Sequence, residues 1–314
     1  MPSARRAALA ALLAVIGLVG VSACSTTNGP KGAVVHSADP AACPGKVVDV
    51  VVSIGQWGDI ADRLGGACAS VTTVLASANV DPHDFEPGTA AIAAFSNADL
   101  VVLNGAGYDQ WAADATAQLD PRPAVLSAAA VAHAPAGGAN PHLWYDPGVV
   151  QGLASALTAR LSALSPGAAG YFAERQAAWT RDLQPYLAAI TALRGVAAGK
   201  HYAATETVFD RMAAAAGLAD ATPPGYRRSS SNGSDPAPGD LVAFRTALAD
   251  HTVDVLIYNT QTSGSVPDQL RADARAAGVP VVPVTESPPV TGGSFLAWQT
   301  SQLQRLTTAL GTTR

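Results

Sequence analysis

The run Val47-Val48-Asp49-Val50-Val51-Val52-Ser53-Ile54 constrains this chain more than any other segment. Its residues are mostly β-branched and apolar on both alternations, so an extended conformation presents apolar side chains to both faces. That is the mark of a strand buried inside a parallel sheet. Parallel neighbours need a crossover connection, and the sequence supplies one. The helical pattern of Gln56–Leu64 leads into a second strand, Val71–Leu75. After a loop through Asp81–Pro87, helix Gly88–Asn97 and strand Leu100–Leu103 continue the alternation. Strands alternating with helices predict the α/β class with parallel sheets.

A loop rich in Ala, Gly and Pro, Ser127–Pro141, precedes helix Pro147–Leu164. Ser165-Pro166 then reads as an N-cap followed by a first-turn proline. It opens a long helix, Gly167–Arg194, with Tyr171, Ala178, Leu183, Leu187 and Ile190 near helical spacing. Pro185 should kink or locally break it. At 1.5 Å per residue its length is about 40 Å, enough to pass from one domain to another. The α/β pattern then restarts with Tyr202–Thr205, a helix to Ala216, strand Val253–Tyr258, a helix to Ala277, strand Val279–Val284 and a last helix, Ser294–Leu310. Gly225–Pro238 is polar and reads as a loop. The expected architecture is two parallel-sheet lobes, 47–164 and 197–314, joined by a long linker helix over 165–196.

At the N-terminus Arg5 and Arg6 precede fifteen apolar or small residues, Ala7–Val21, too short a run to span a bilayer. This reads as a secretory signal. Val21-Ser22-Ala23-Cys24 resembles the lipobox of bacterial lipoproteins, which implies removal of residues 1–23 and acylation of Cys24. Two or more acyl chains hold a protein stably on a membrane surface. Residues 24–46 have no periodic apolar face and read as a flexible tether. Without Arg5 and Arg6 the net charge falls from −5 to −7. No basic run gives nucleic acid a footing.

Cys43 and Cys68 remain for an oxidising compartment. A β-α unit goes up and returns, which brings both cysteines to one end of the fold. A disulfide there is the expectation, two buried thiols the alternative.

Two histidines sit in matching contexts. Asp81-Pro82-His83-Asp84-Phe85-Glu86-Pro87 follows the second strand, and Asn140-Pro141-His142-Leu143-Trp144-Tyr145-Asp146-Pro147 follows the Ala/Gly/Pro loop. Loops at strand ends are where α/β sheets place ligands. A neutral imidazole suits Zn, Mn, Fe or Ni, and Asp84 and Asp146 offer second-shell carboxylates for the other ring nitrogen.

These two motifs, with Ala98-Asp99-Leu100-Val101-Val102-Leu103-Asn104-Gly105 between them, resemble the metal-binding solute-binding proteins of bacterial zinc and manganese ABC importers. The resemblance runs from about Val47 to Leu310. It implies two lobes linked by one rigid helix, with zinc or manganese held as cargo in the interlobe cleft by two ligands from each lobe. His83 and His142 match the first pair. Counting back eleven residues from Gly217-Leu218 puts the third at Glu206, with His201 as a competing candidate. The fourth, typically Asp, falls on Glu286 in Val284-Thr285-Glu286-Ser287-Pro288, where the longer side chain leaves the coordination number open. His36, His133 and His251 read as solvated. The resemblance further implies an ABC permease with its ATPase as partners, and an exported, lipid-anchored monomer on the outer face of the cell membrane.

Two other readings compete. An exported metallohydrolase needs an open coordination position and a general base, and the chain contains no His-Glu-x-x-His. A siderophore- or haem-binding receptor needs aromatic or Arg groups in the cleft, for which Trp144, Tyr145 and Tyr226-Arg227-Arg228 are candidates.

Overall fold

The computed structural model describes residues 33–76, 85–135, 138–262, 264–289 and 294–312. The first sheet has the order β1-β3-β2-β4-β5, built from β1 (Val34–His36), β2 (Val48–Ile54), β3 (Ala69–Leu75), β4 (Leu100–Leu103) and β5 (Ala124–Ser127). The pairs β2–β3, β2–β4 and β4–β5 are parallel; β1 runs antiparallel to β3, with Val34 opposite Thr73 and His36 opposite Val71. Helices α1 (Gly55–Gly65), α2 (Thr89–Ser96), α3 (Gln110–Ala117), α4 (Ala128–Val131) and α5 (Pro147–Leu164) complete this lobe. As the valine run predicts, Val48, Val50, Val51, Val52 and Ile54 are all buried, Val50 and Val52 in one hydrophobic cluster and Val51 in another.

The linker is two helices, α6 (Ala169–Asp182) and α7 (Gln184–Ala197), parted at Leu183, with Pro185 in the first turn of α7. Helix α6 packs on α1 and α5, whereas α7 packs on α8 (Asp210–Ala216) and α12 (Phe295–Thr312). The second sheet is wholly parallel, in the order β7-β6-β8-β9, from β6 (His201–Ala204), β7 (Ala219–Asp220), β8 (Val255–Asn259) and β9 (Val281–Val284). Helices α9 (Pro224–Ser231), α10 (Pro238–Ala249) and α11 (Ser265–Ala276) flank it.

One hydrophobic cluster runs from β2 through α5, α6 and α7 into α8 and α12. Aromatic contacts carry it across the lobes: Tyr145 lies 5.1 Å from Phe209 and 5.8 Å from Trp298, and Trp57 stacks on Phe295. Lobes that share a core cannot part widely without exposing large apolar side chains.

Three expectations are corrected. The segment 24–46 is not all tether, because β1 lies within it and Cys43 is disulfide-bonded to Cys68 across 25 positions. The thiol alternative falls with that bond. Gly225–Pro238 is not all loop: α9 reaches Ser231, and its one apolar side chain, Tyr226, is buried against Phe244. A single apolar residue leaves no periodicity to read. The Ser127–Pro141 loop likewise begins inside β5 and contains α4, which Ser127 caps.

Candidate metal centre

Glu206 and Glu286 follow the carboxyl ends of parallel strands β6 and β9, and His142 lies in the loop between α4 and α5. Beyond β6, Thr205 extends the ladder by donating its N–H to the Ile257 carbonyl, and its hydroxyl accepts the Asn259 N–H. Glu206 comes next in extended conformation, before a 3-10 turn, Thr207–Phe209, whose Val208 and Phe209 are fully buried. The turn is therefore anchored, and the carboxylate leaves a fixed point. One of its oxygens, Oε2, accepts from Asn259 Nδ2 at 2.7 Å and from the Thr262 hydroxyl. The Tyr226 phenol beneath is pushed up to about 12, by burial first and by the Glu206 charge second.

Glu286 follows β9 by two residues, and its neighbourhood is held by the facing lobe. The carbonyl of Thr285 accepts from the Tyr145 hydroxyl at 2.7 Å, and the carbonyl of Glu286 accepts from Gln56 Nε2 at 3.1 Å. Its carboxylate Oε1 accepts from the Tyr108 hydroxyl at 3.0 Å and lies 2.9 Å from His142 Nε2.

His142 is 4% exposed, with its ring edge-on to Tyr108 and Trp144. The preceding residue is tied to the sheet, since Asn104 donates from Nδ2 to the Pro141 carbonyl at 2.9 Å and accepts from Trp57 Nε1. Asn140 Oδ1 accepts both the His142 backbone N–H and its ring Nδ1–H, at 3.0 and 2.8 Å. With Nδ1 held by Asn140, Nε2, which faces Glu286 Oε1, is the ring nitrogen turned to the cleft and available to a metal.

Among the described residues, His142, Glu206 and Glu286 form the one group of such side chains able to share an ion, with ligand atoms all within 4.8 Å of one another. Two carboxylates and a neutral imidazole neutralise a divalent charge, which makes a half-buried site tolerable. Two ligands of a tetrahedral ion with bonds near 2.0–2.1 Å sit about 3.3 Å apart. His142 Nε2 and Glu286 Oε1, at 2.9 Å, are a few tenths of an ångström closer than that and must spread on loading, while the group as a whole, spanning up to 4.8 Å, must draw in.

The other sequence candidates fall differently. His83, Asp84 and Cys24 lie outside the described residues. Asp146 does not reach the His142 ring. Its Oδ1 caps α5, accepting from the Gly148 and Val149 N–H groups, and its Oδ2 lies 3.7 Å from Arg211. His201 is exposed at the far end of β6 beside Asp254. His36 pairs loosely with Asp62, and His133 and His251 are exposed in left-handed backbone positions. Trp144, Tyr145 and Tyr226 are buried in the core and Arg227 is paired with Asp210 and Asp220, so a bulky-ligand receptor loses its proposed lining. Sequence reasoning missed Asn140, Asn259, Thr262, Tyr108 and Gln56. Only Asn140, two residues before a candidate His, carried any local signal.

Two α/β lobes converging on such a cleft define the class of solute-binding proteins. The family described as zinc-uptake complex component A, periplasmic, matches residues 50–309, and the chain belongs to it: the metal-binding solute-binding proteins of zinc and manganese ABC importers. Members are substrate-binding transport proteins that work with a permease and an ATPase. The chain is 26% identical over 143 residues to the manganese-binding lipoprotein MntA of Halalkalibacterium halodurans, a match covering 45% of this chain and 47% of that one. It is 23% identical over 225 residues to the high-affinity zinc uptake system protein ZnuA of Bacillus subtilis, covering 65% and 68%. In fold it resembles the solute-binding protein FpvC of Pseudomonas aeruginosa, solved with Ni2+, at a TM-score of 0.69, 20% identity and coverage of 85% and 97%. The periplasmic zinc-binding protein TroA of Treponema pallidum gives 0.69, 18%, and coverage of 84% and 99%.

Proposed function

We propose that this chain captures one divalent transition metal, zinc or manganese, outside the membrane and hands it to an ABC permease driven by its ATPase. The observation that supports this most is the convergence of His142, Glu206 and Glu286 from three separate loops. His83, placed by the sequence after β3, is assigned as the fourth ligand. A set of two imidazoles and two carboxylates suits manganese by ligand hardness, while the Irving–Williams order gives zinc the higher affinity at almost any such site. The relatives divide the same way, one named for manganese and one for zinc. In this reading residues 1–23 direct export, lipidated Cys24 anchors a monomer to the membrane, and 47–164 and 197–314 are lobes around the 165–196 linker. No helix among the described residues is long and apolar enough to cross a membrane.

The test is the metal content of protein loaded with Mn2+ or Zn2+ and desalted, by elemental analysis. One ion per wild-type chain is expected, with loss in His83→Ala, His142→Ala, Glu206→Ala and Glu286→Ala and retention in His133→Ala and His201→Ala. Failure of wild type to hold stoichiometric metal refutes the function. Retention in Glu206→Ala and Glu286→Ala refutes the second-lobe assignment.

A further inference from the structure

Asn140 makes more contacts than a ligand-orienting residue needs, and they fall on both lobes. Its side-chain oxygen holds His142 by ring and backbone. Its side-chain nitrogen donates 2.7 Å to the carbonyl of Thr207, the residue after Glu206. Its own carbonyl accepts the Arg211 guanidinium, at 3.2 Å from Nε and 2.7 Å from Nη2. Arg211 rides on α8 in the second lobe and extends its other nitrogen toward Asp146, 3.7 Å away. A single asparagine thus joins a first-lobe ligand to the backbone beside a second-lobe ligand.

We propose that Asn140 is a positioning residue and, with Arg211, an interlobe latch that sets how fast the cleft releases its metal. The proposal rests on the metal-binding reading above. Two functions are divided between different atoms. Oδ1 governs the aim of His142, whereas Nδ2 and the main-chain oxygen fasten the lobes. Separation of the lobes at the cleft must break the bonds to Thr207 and Arg211, while the bond to His142 stays within one lobe. Because the two lobes share a continuous core behind the cleft, parting at the cleft is governed by its few cross-lobe hydrogen bonds, these of Asn140 together with those from Gln56, Tyr108 and Tyr145 to the Glu286 loop. The asymmetry is chemical as well as geometric: an aspartate here would keep the acceptor for His142 and lose the donor to Thr207. A methionine at 211 would leave the His142 contacts untouched.

The experiment loads full-length wild type, Asn140→Asp and Arg211→Met with Mn2+ and follows release into excess chelator by stopped flow, alongside metal stoichiometry and metal-free melting temperature. Each variant is expected to bind one ion and to release it about tenfold faster, the effect of one charge-assisted or well-formed hydrogen bond. The double variant should release faster than either single, by up to about a hundredfold over wild type, since parting the lobes must break both bonds. A structural role alone would lower the metal-free melting temperature and leave the release rate of the folded protein at the wild-type value. Release rates equal to wild type in both variants overturn the latch while leaving the function intact. Absence of Mn2+ from wild type overturns the function and the latch together.

Discussion

Asn104 closes the segment Ala98–Gly105 that helped to place the chain in its family, and the structure gives that residue measurable work. It is fully buried, receives the Trp57 indole N–H at 3.1 Å, and donates to the carbonyls of Gly105 and Pro141, both at 2.9 Å. Asn104→Ala removes three hydrogen bonds and strands a buried indole N–H and a carbonyl in the loop that carries His142. At about 1 kcal/mol for each bond, plus the desolvation of orphaned partners, the loss is about 3–4 kcal/mol. Unfolding entropy near 2.1 cal/mol/K per residue over a fold of about 280 residues gives about 0.6 kcal/mol/K, so the melting temperature of metal-free protein should fall by about 5–7 °C. Differential scanning calorimetry measures this, with Asn97→Ala as the control. Asn97 is exposed and donates only to the Ala93 carbonyl in its own helix, so its replacement should stay within about 0.5 kcal/mol. Mn2+ affinity of Asn104→Ala, by calorimetric titration, should weaken by about tenfold or more because the His142 loop loses its tie to the sheet. A change below about 1 kcal/mol, or an affinity equal to wild type, would refute the view that Asn104 supports the site.

The Cys43–Cys68 bond closes a loop of 25 residue steps, and the chain-entropy relation gives about 3.5 kcal/mol for it. The double change Cys43→Ser/Cys68→Ser should lower stability by about that amount in urea titration without altering metal stoichiometry; an unchanged midpoint counts against it. Cys24→Ala should move the protein from the membrane to the soluble fraction on cell fractionation, and unchanged membrane association would exclude Cys24 as the anchor.

The fold was legible where burial leaves a local trace. The valine run, the helix Pro147–Leu164 and the restart of the pattern after the linker are each set by composition within a few residues, and β4 and α5 fall where the pattern puts them. Helix α9 was hidden because one buried tyrosine among serines has no period. At the site, His142, Glu206 and Glu286 were found through motif order, and the structure brings them together. Their partners were not, because Asn259 reaches Glu206 from 53 positions away and Tyr108 reaches Glu286 from 178. Pairings of that range arise only when sheets are assembled. Asp146 shows the opposite error: Asp followed by Pro is the signature of a capped helix start, and that local role outweighed a place beside the imidazole.

The antiparallel direction of β1 settles on which side the chain enters the first sheet. Val34 lies opposite Thr73, near the end of β3 from which the chain goes on toward His83, and β1 descends from there toward the disulfide at the far edge. The polypeptide therefore enters the fold on the cleft side. Nine residues separate Cys24 from Val34, so that ten steps of extended chain reach at most about 35 Å. A lipid on Cys24 would tether the protein from the side on which its cleft opens, within that reach of the bilayer.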